Sequence, residues 1–324
     1  MRIIIPSYSL HDNFTENVAV TLRNMGHIVL TTPVPARFID HKFMHLMQLG
    51  FEKLLPNHFT PQEKWLKKMI SVFRPDIMIA LTHSVNEELL LDLRKSGVVT
   101  IAWWGDTPAN MRKEGLLCDG WDFIYLKDSY AVAKLKSIGL NALYLPEAMN
   151  PLWHKKVYKS INERIVFAGN AYEYRHYLIR KLVKSVKYGV DLYGSRPPRW
   201  AKREVTSVYR SKFIVKEEKS NIFGSAAVCL NSTSMTEGNS LNCRAFEIAG
   251  SGGLQIMEYR QAIEECFDVE KEIVTFSSFE ELIYKLDYFI NDEVAAIKIR
   301  EKSFLRAHSS HTYEHRLIKI LGGL

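Results

Sequence analysis

Short runs rich in branched and aromatic residues alternate with stretches of helical period along the whole chain, and this alternation constrains the fold more than any other feature. In the first half the runs fall at residues 2–6, 27–32, 76–81, 98–104, 122–127 and 142–146. Between the first two, Phe14, Val18, Leu22 and Met25 recur on one helical face, and Gly26 stands where a helix C-cap glycine belongs. A second helical stretch carries Leu89, Leu90 and Leu93, with Ser84 placed to cap it. Residues 145–151 hold two prolines and no periodic pattern, which marks a junction. Beyond it the rhythm restarts, with strands expected at 164–168, 190–193, 213–216, 227–230, 254–257 and 273–276 and helices at 174–187 and 241–249. Another helix presents Phe279, Leu282, Leu286 and Phe289 on one face, and the C-terminal end is helical with Leu317, Ile320 and Leu321 as its stripe. Strand and helix in alternation build βαβ units on parallel sheets. The expectation is an α/β protein of two Rossmann-like doubly wound domains facing across a cleft, residues 1–150 and 151–300, with a C-terminal helix over 301–324 packing back on the first domain.

The length of 324 residues suits two cores of about 150 residues each. The four cysteines, Cys118, Cys229, Cys243 and Cys266, have no CxxC spacing and read as reduced thiols of a cytoplasmic protein. No apolar run approaches the roughly 20 residues of a membrane-spanning helix. The net charge of +7 favours anionic partners and leaves room for a polyanion or a peripheral membrane contact.

Two segments have the residue types for phosphate chemistry. In Phe167-Ala-Gly-Asn-Ala-Tyr-Glu-Tyr-Arg175 a strand ends, Gly169 and Asn170 turn the chain, and a helix opens with Arg175 in its first turns. This would present backbone N–H groups and a guanidinium to a phosphate. It is not the G-x-G-x-x-G fingerprint, so a dinucleotide-dependent dehydrogenase is unsupported. In residues 230–253 a strand reaching Leu230 runs into a polar loop with Asn231, Glu237, Gly238, Asn239 and Ser240, then into a helix carrying Asn242, Arg244 and Glu247 at its start. Hydroxyls, an arginine and a helix N-terminus converge there as a diphosphate would require, and a carboxylate one turn later can accept hydrogen bonds from a ribose diol. The plainer alternatives are a strand–helix turn with Arg175 solvated for the first segment and a capped amphipathic helix with solvated Arg244 and Glu247 for the second.

The pattern Asn242-Cys-Arg-Ala-Phe-Glu247 with Ala249-Gly-Ser-Gly-Gly253 resembles the CgeB-like glycosyltransferases, GT-B-fold relatives of the large retaining family with a Glu-x7-Glu motif. Val166-Phe-Ala-Gly-Asn170, Asp191-Leu-Tyr-Gly194, Ala227-Val-Cys-Leu-Asn231, Trp103-Trp-Gly-Asp106, Leu145-Pro-Glu-Ala148 and His311-Thr-Tyr-Glu-His-Arg316 agree with it, so the resemblance spans nearly the whole chain. It implies transfer of a sugar from a nucleotide diphosphate sugar to an acceptor hydroxyl, without a metal cofactor and with retention. Residues 151–300 would be the donor domain and 1–150 the acceptor domain. Glu247 matches the second motif glutamate, which holds the nucleotide ribose. The position of the first is Asn239, a departure for which Glu237 is a nearby substitute.

On this reading Gly169, Asn170, Arg175, Tyr193, Gly194, Asn231, Asn242, Arg244 and Glu247 bind the nucleotide, and Glu237, Gly238, Asn239 and Ser240 meet the sugar and phosphate. Asp106 and Arg244 are the candidate catalytic residues, with His11, His83, Trp104 and Asp106 toward the acceptor. No histidine pair, carboxylate cluster or Asp-x-Asp has metal-ligand spacing. The acceptor is left open among carbohydrate, lipid-linked, protein and nucleic-acid classes. A nucleotide-sugar epimerase of the same fold, a nucleic-acid or polyanion binder, and a non-catalytic sugar-nucleotide binder are the alternatives.

Overall fold

The computed structural model describes residues 1–33, 61–81, 85–106, 116–156, 160–171 and 173–324. The chain divides into two compact units, Met1–Leu126 with Ala131–Leu143, and Lys127–Tyr130 with Tyr144–Leu324.

The first unit is built on a six-stranded sheet, in the order β2-β1-β3-β4-β5-β6. Its strands are β1 (Arg2–Tyr8), β2 (Ile28–Thr32), β3 (Ile77–Leu81), β4 (Val99–Trp104), β5 (Phe123–Leu126) and β6 (Ala142–Tyr144). The pairs from β2 through β5 are parallel. Every residue of β3 and Ile3, Ile4 and Ile5 of β1 are buried, the signature of strands covered on both faces, which explains their unbroken apolar runs. Helices α1 (Phe14–Asn24), α2 (Pro61–Phe73), α3 (Glu87–Lys95) and α4 (Ser129–Ser137) punctuate the strands. The α1 helix starts under Asn13, whose side chain accepts from Glu16 N at 2.8 Å, and the chain leaves it through Gly26 at φ +86°. The cap of α3 is Asn86, which accepts from Glu88 N at 3.0 Å. Ser84, the expected cap, lies outside the described residues, and the helix begins after it at Glu87.

The second unit has a five-stranded sheet in the order β11-β10-β9-β7-β8. Its strands are β7 (Arg164–Ala168), β8 (Gly189–Tyr193), β9 (Val228–Asn231), β10 (Gln255–Glu258) and β11 (Val274–Phe276), all paired in parallel. Its helices are α5 (Glu173–Ser185), α6 (Arg203–Val208), α7 (Lys216–Ser225), α8 (Cys243–Gly250), α9 (Phe279–Asn291), α10 (Glu293–Ser310) and α11 (Tyr313–Leu321). The two parallel-sheet Rossmann-like domains read from the alternation are thus present.

One expected strand is not. Residues 213–216 pair with no strand: Phe213 is 66% exposed, and Lys216 opens α7. The free edge of β8 is already taken by the preceding turn, where Leu192 bridges Tyr209 and Arg210 N donates to Leu192 O at 2.9 Å. Three consecutive apolar residues had no ladder left to join.

The C-terminal segment differs from a single helix over 301–324. Residue 301 lies inside α10, and the break comes at His311–Thr312, where the Thr312 hydroxyl accepts from His315 N and starts α11. Within the second unit this break holds the expected junction segment. Met149 N donates to His311 O and Tyr313 N to Met149 O, both at 3.1 Å. Buried Arg316 donates to Pro146 O at 3.0 Å and to Glu147 O at 3.3 Å. The proline-containing stretch is therefore a tied-down strap.

His311 fits this strap as a neutral ring. Nε2–H donates to Cys266 O at 2.8 Å, and Nδ1 accepts from Arg316 at 2.9 Å. Burial, then the neighbouring guanidinium, push its pKa down to about 4. The unfolded chain therefore binds more protons between about pH 4 and pH 6.5, so this part of the stability is complete above that window and is lost as pH falls through it. A loss of at most about 3 kcal/mol is expected. In melting curves recorded from pH 7 to pH 4, His311→Gln should flatten the decline. An unchanged slope would remove His311 as its source.

Candidate active site

The loops after β7, β8 and β9, three neighbouring parallel strands, meet at one edge of the second sheet. Gly169 follows β7 at φ +138° and Gly194 follows β8 at φ +133°. Gly169 N donates to Tyr193 O at 2.8 Å, and a Cβ on Gly194 would lie 2.6 Å from Gly169 O. Two peptide planes touch here, and no L side chain fits on either residue.

Guanidinium groups close over this bare backbone. A Cβ on Gly169 would stand 2.7 Å from Arg244 Nη2 and 3.7 Å from Arg175 Nη1. Arg175, buried at the start of α5, donates to Ser232 O at 2.8 Å and Asn170 O at 3.3 Å, which ties the loops after β7 and β9 together. Arg244, in the first turn of α8, donates through Nη1 to Asn231 Oδ1 at 3.0 Å. Its Nη2 has no acceptor, and the group no carboxylate partner, among the described residues. A half-buried guanidinium fork aimed over exposed peptide, beside a helix N-terminus, is suited to the oxygens of a phosphate.

Asn231 and Asn242 stand behind this fork. Asn231 is fully buried, and its amide exchanges hydrogen bonds with Asn242 at 3.1 and 3.2 Å while donating to Gln255 Oε1 at 3.2 Å. Asn242 also caps α8 by accepting from Ala245 N at 3.2 Å. Their amides hold one another, and the buried oxygen of Asn231 that receives Nη1 fixes the direction of Arg244.

Glu247, 7% exposed, sits one turn further along α8. Its Oε1 receives Lys219 of α7 at 2.6 Å and lies 3.8 Å from His154 Nε2, while its Oε2 has no donor among the described residues. One oxygen is neutralised and the other is open, the condition for a carboxylate that takes hydroxyl protons.

The loop of residues 237–240 is fastened by contacts of its own. Asn239 Oδ1 accepts from Ala262 N at 2.7 Å, fastening the loop to the turn after β10. Arg260 gathers Gly238 O at 3.0 Å and Ser240 O at 3.1 Å, and Ser240 is buried. Glu237 accepts from Lys127 at 2.9 Å, and Lys127 lies 3.7 Å from Glu147. A Cβ on Gly238 would meet Asp128 Oδ2 at 2.9 Å. Tyr193 is half-buried, its hydroxyl pKa raised mainly by burial. Lys127, His154, Lys219 and Arg260 are missed by sequence reasoning because each acts across 20 or more residues, and no local spacing announces such a partner.

In the first unit, His11 follows β1 and Asp106 follows β4, and β1, β3 and β4 are successive neighbours in the sheet. His11 is exposed and Asp106 half-exposed. Trp104 is 4% exposed, its indole N–H without an acceptor among the described residues, so it presents no open ring face. His83 lies outside the described residues.

Residues 175–322 match a family model described as glycosyl transferase-like. No curated protein matches the chain in sequence. Among solved structures, sucrose-phosphate synthase from Thermosynechococcus elongatus superposes with a TM-score of 0.69 at 12% identity, covering 99% of this chain and 98% of that one. HepE of Anabaena in complex with UDP-glucose gives 0.68 at 10% identity over 100% and 99% of the two chains. A glycosyltransferase from Rickettsia africae gives 0.65 at 12% identity over 99% and 96%. The fold is GT-B, and the matched domain makes the chain an enzyme of the glycosyltransferase class.

Proposed function

We propose that the chain transfers a sugar from a UDP-sugar to an acceptor hydroxyl, with retention at the anomeric carbon, and that its second unit holds the donor. The observation that carries this reading is the pair Arg175 and Arg244 over the side-chain-free backbone of Gly169, at the C-terminal ends of parallel strands. Uridine is the base in the donor complexes of HepE. The narrower placement among CgeB-like enzymes rests on the sequence motifs around residues 242–253, and retention rests on the same resemblance.

In the reaction the bond between the anomeric carbon and the diphosphate oxygen breaks, and a new bond forms to the acceptor oxygen, whose proton is released. Negative charge grows on the diphosphate as it leaves. Arg244 and Arg175 lie where they offset it, so no metal is assigned to this step. Glu247 Oε2 takes the ribose diol, and Tyr193 and Gly194 border the nucleotide. Asp106 meets the acceptor hydroxyl.

Melting curves with UDP and UDP-glucose test the donor assignment. A ligand at a hundred times its Kd stabilises by about 2.7 kcal/mol, which for a chain of this size is a rise of roughly 4 °C. The same rise is expected with a chelator present. No response to any uridine nucleotide would overturn the proposal, and a response that the chelator abolishes would overturn its metal-free form.

A further inference from the structure

The charge of this chain is concentrated in one segment. Residues 173–212 contain eleven Lys and Arg against three Asp and Glu, a surplus of eight, while the whole chain has a surplus of seven; the other 284 residues together are net −1. Part of this charge is balanced locally. Glu204 pairs with Arg180 at 3.5 Å and Lys184 at 2.8 Å, Arg210 pairs with Asp191, and Lys212 with Glu218. The remainder is not. Arg196, Arg199, Lys202 and Arg203 are exposed, and their side chains have no acidic partner among the described residues.

Two aromatic side chains stand among these cations. Trp200 is 54% exposed, one side of its ring held against His176 at 4.9 Å between centroids. Phe213 is 66% exposed on the loop where Lys212 O accepts from Gly194 N at 3.0 Å. The loop of Trp200 leaves from the end of β8, the edge strand, and that of Phe213 follows α6 and returns beside the end of β8. Exposed apolar rings on a segment that also carries exposed cations without acidic partners have the chemistry of an interfacial anchor, since the rings enter the headgroup boundary while the cations meet anionic lipid. A nucleic-acid site would instead set its rings in a cationic groove as stacking platforms.

We infer that the face formed by residues 195–213 docks the enzyme on an anionic lipid surface. The contact is peripheral, as no helix among the described residues is long and apolar enough to cross a membrane.

The test is co-sedimentation of the full chain with vesicles of phosphatidylcholine alone or mixed with phosphatidylglycerol. Binding is expected only to the mixed vesicles, falling as salt is added. The variant Arg196→Gln/Arg199→Gln/Lys202→Gln/Arg203→Gln should weaken it by several hundredfold, from roughly fivefold per charge. Trp200→Ala should weaken it by about tenfold at unchanged charge. Both variants should keep the melting response to UDP, which separates this face from the donor site. Four outcomes would overturn the inference: no binding to mixed vesicles at low salt, equal binding by the four-site variant, loss of its UDP response, or capture of single-stranded or duplex nucleic acid without vesicle binding.

Discussion

Arg244→Ala is expected to lower kcat/KM for donor turnover by a factor on the order of a hundred to a thousand and to abolish the melting-temperature rise given by UDP. The guanidinium is the group over Gly169 with a nitrogen still open to a ligand, so its removal takes both charge and hydrogen-bond donors from the proposed diphosphate position. The fold should survive. Asn231 Oδ1, which Arg244 leaves behind, still accepts from Asn242 at 3.1 Å, so no buried acceptor is orphaned. Arg244→Lys should recover only part of the loss, because an ammonium restores the charge without the planar fork. A UDP response of wild-type size in Arg244→Ala would remove this residue from the donor site.

The second large effect is on stability. Arg300 of α10 is 6% exposed and donates to four backbone carbonyls, at Gly224 (3.2 Å), Gly252 (3.1 Å), Ala227 (2.8 Å) and Ala226. These carbonyls end α7, enter β9 and close the turn after α8, so one side chain gathers three connections of the second unit. Burial holds its pKa below the usual arginine value and pushes the neighbouring Cys229 thiol up to about 12. Arg300→Met keeps the apolar stem and leaves the carbonyls without a donor. The expected cost is on the order of 4 kcal/mol, or roughly 6 °C in Tm. A loss under about 1 kcal/mol in urea unfolding would show that water replaces the guanidinium.

The candidate site is partly legible in the amino-acid sequence. Gly169, Gly194 and Arg175 follow predicted strand ends, and a strand end is a local event marked by where an apolar run stops. The helix start at Asn242, Arg244 and Glu247 is legible for the same reason, since cap residues act over three or four positions. The roles within it are not. The sequence does not show that Asn231 and Asn242 hold each other's amides. Asn239, where the motif glutamate is absent, fastens its loop to Ala262 N, a contact across 23 residues. The false strand at 213–216 fails similarly: its composition is right, but the edge it needs is occupied by Tyr209 and Arg210.

The alternation of strands and helices, the glycines that turn the chain at strand ends, and the surplus of positive charge are all written in the order of the residues. Each follows from side-chain period, allowed φ or composition, which are properties of neighbouring residues. Only the tertiary structure decides which polar groups are already satisfied and which remain open: Glu247 with one oxygen on Lys219, Arg244 with one nitrogen on Asn231, and four cations between residues 196 and 203 without acidic partners among the described residues. A hydrogen bond joins residues that are close in space and distant in the chain, and the free capacity left after such pairing is what a ligand can use.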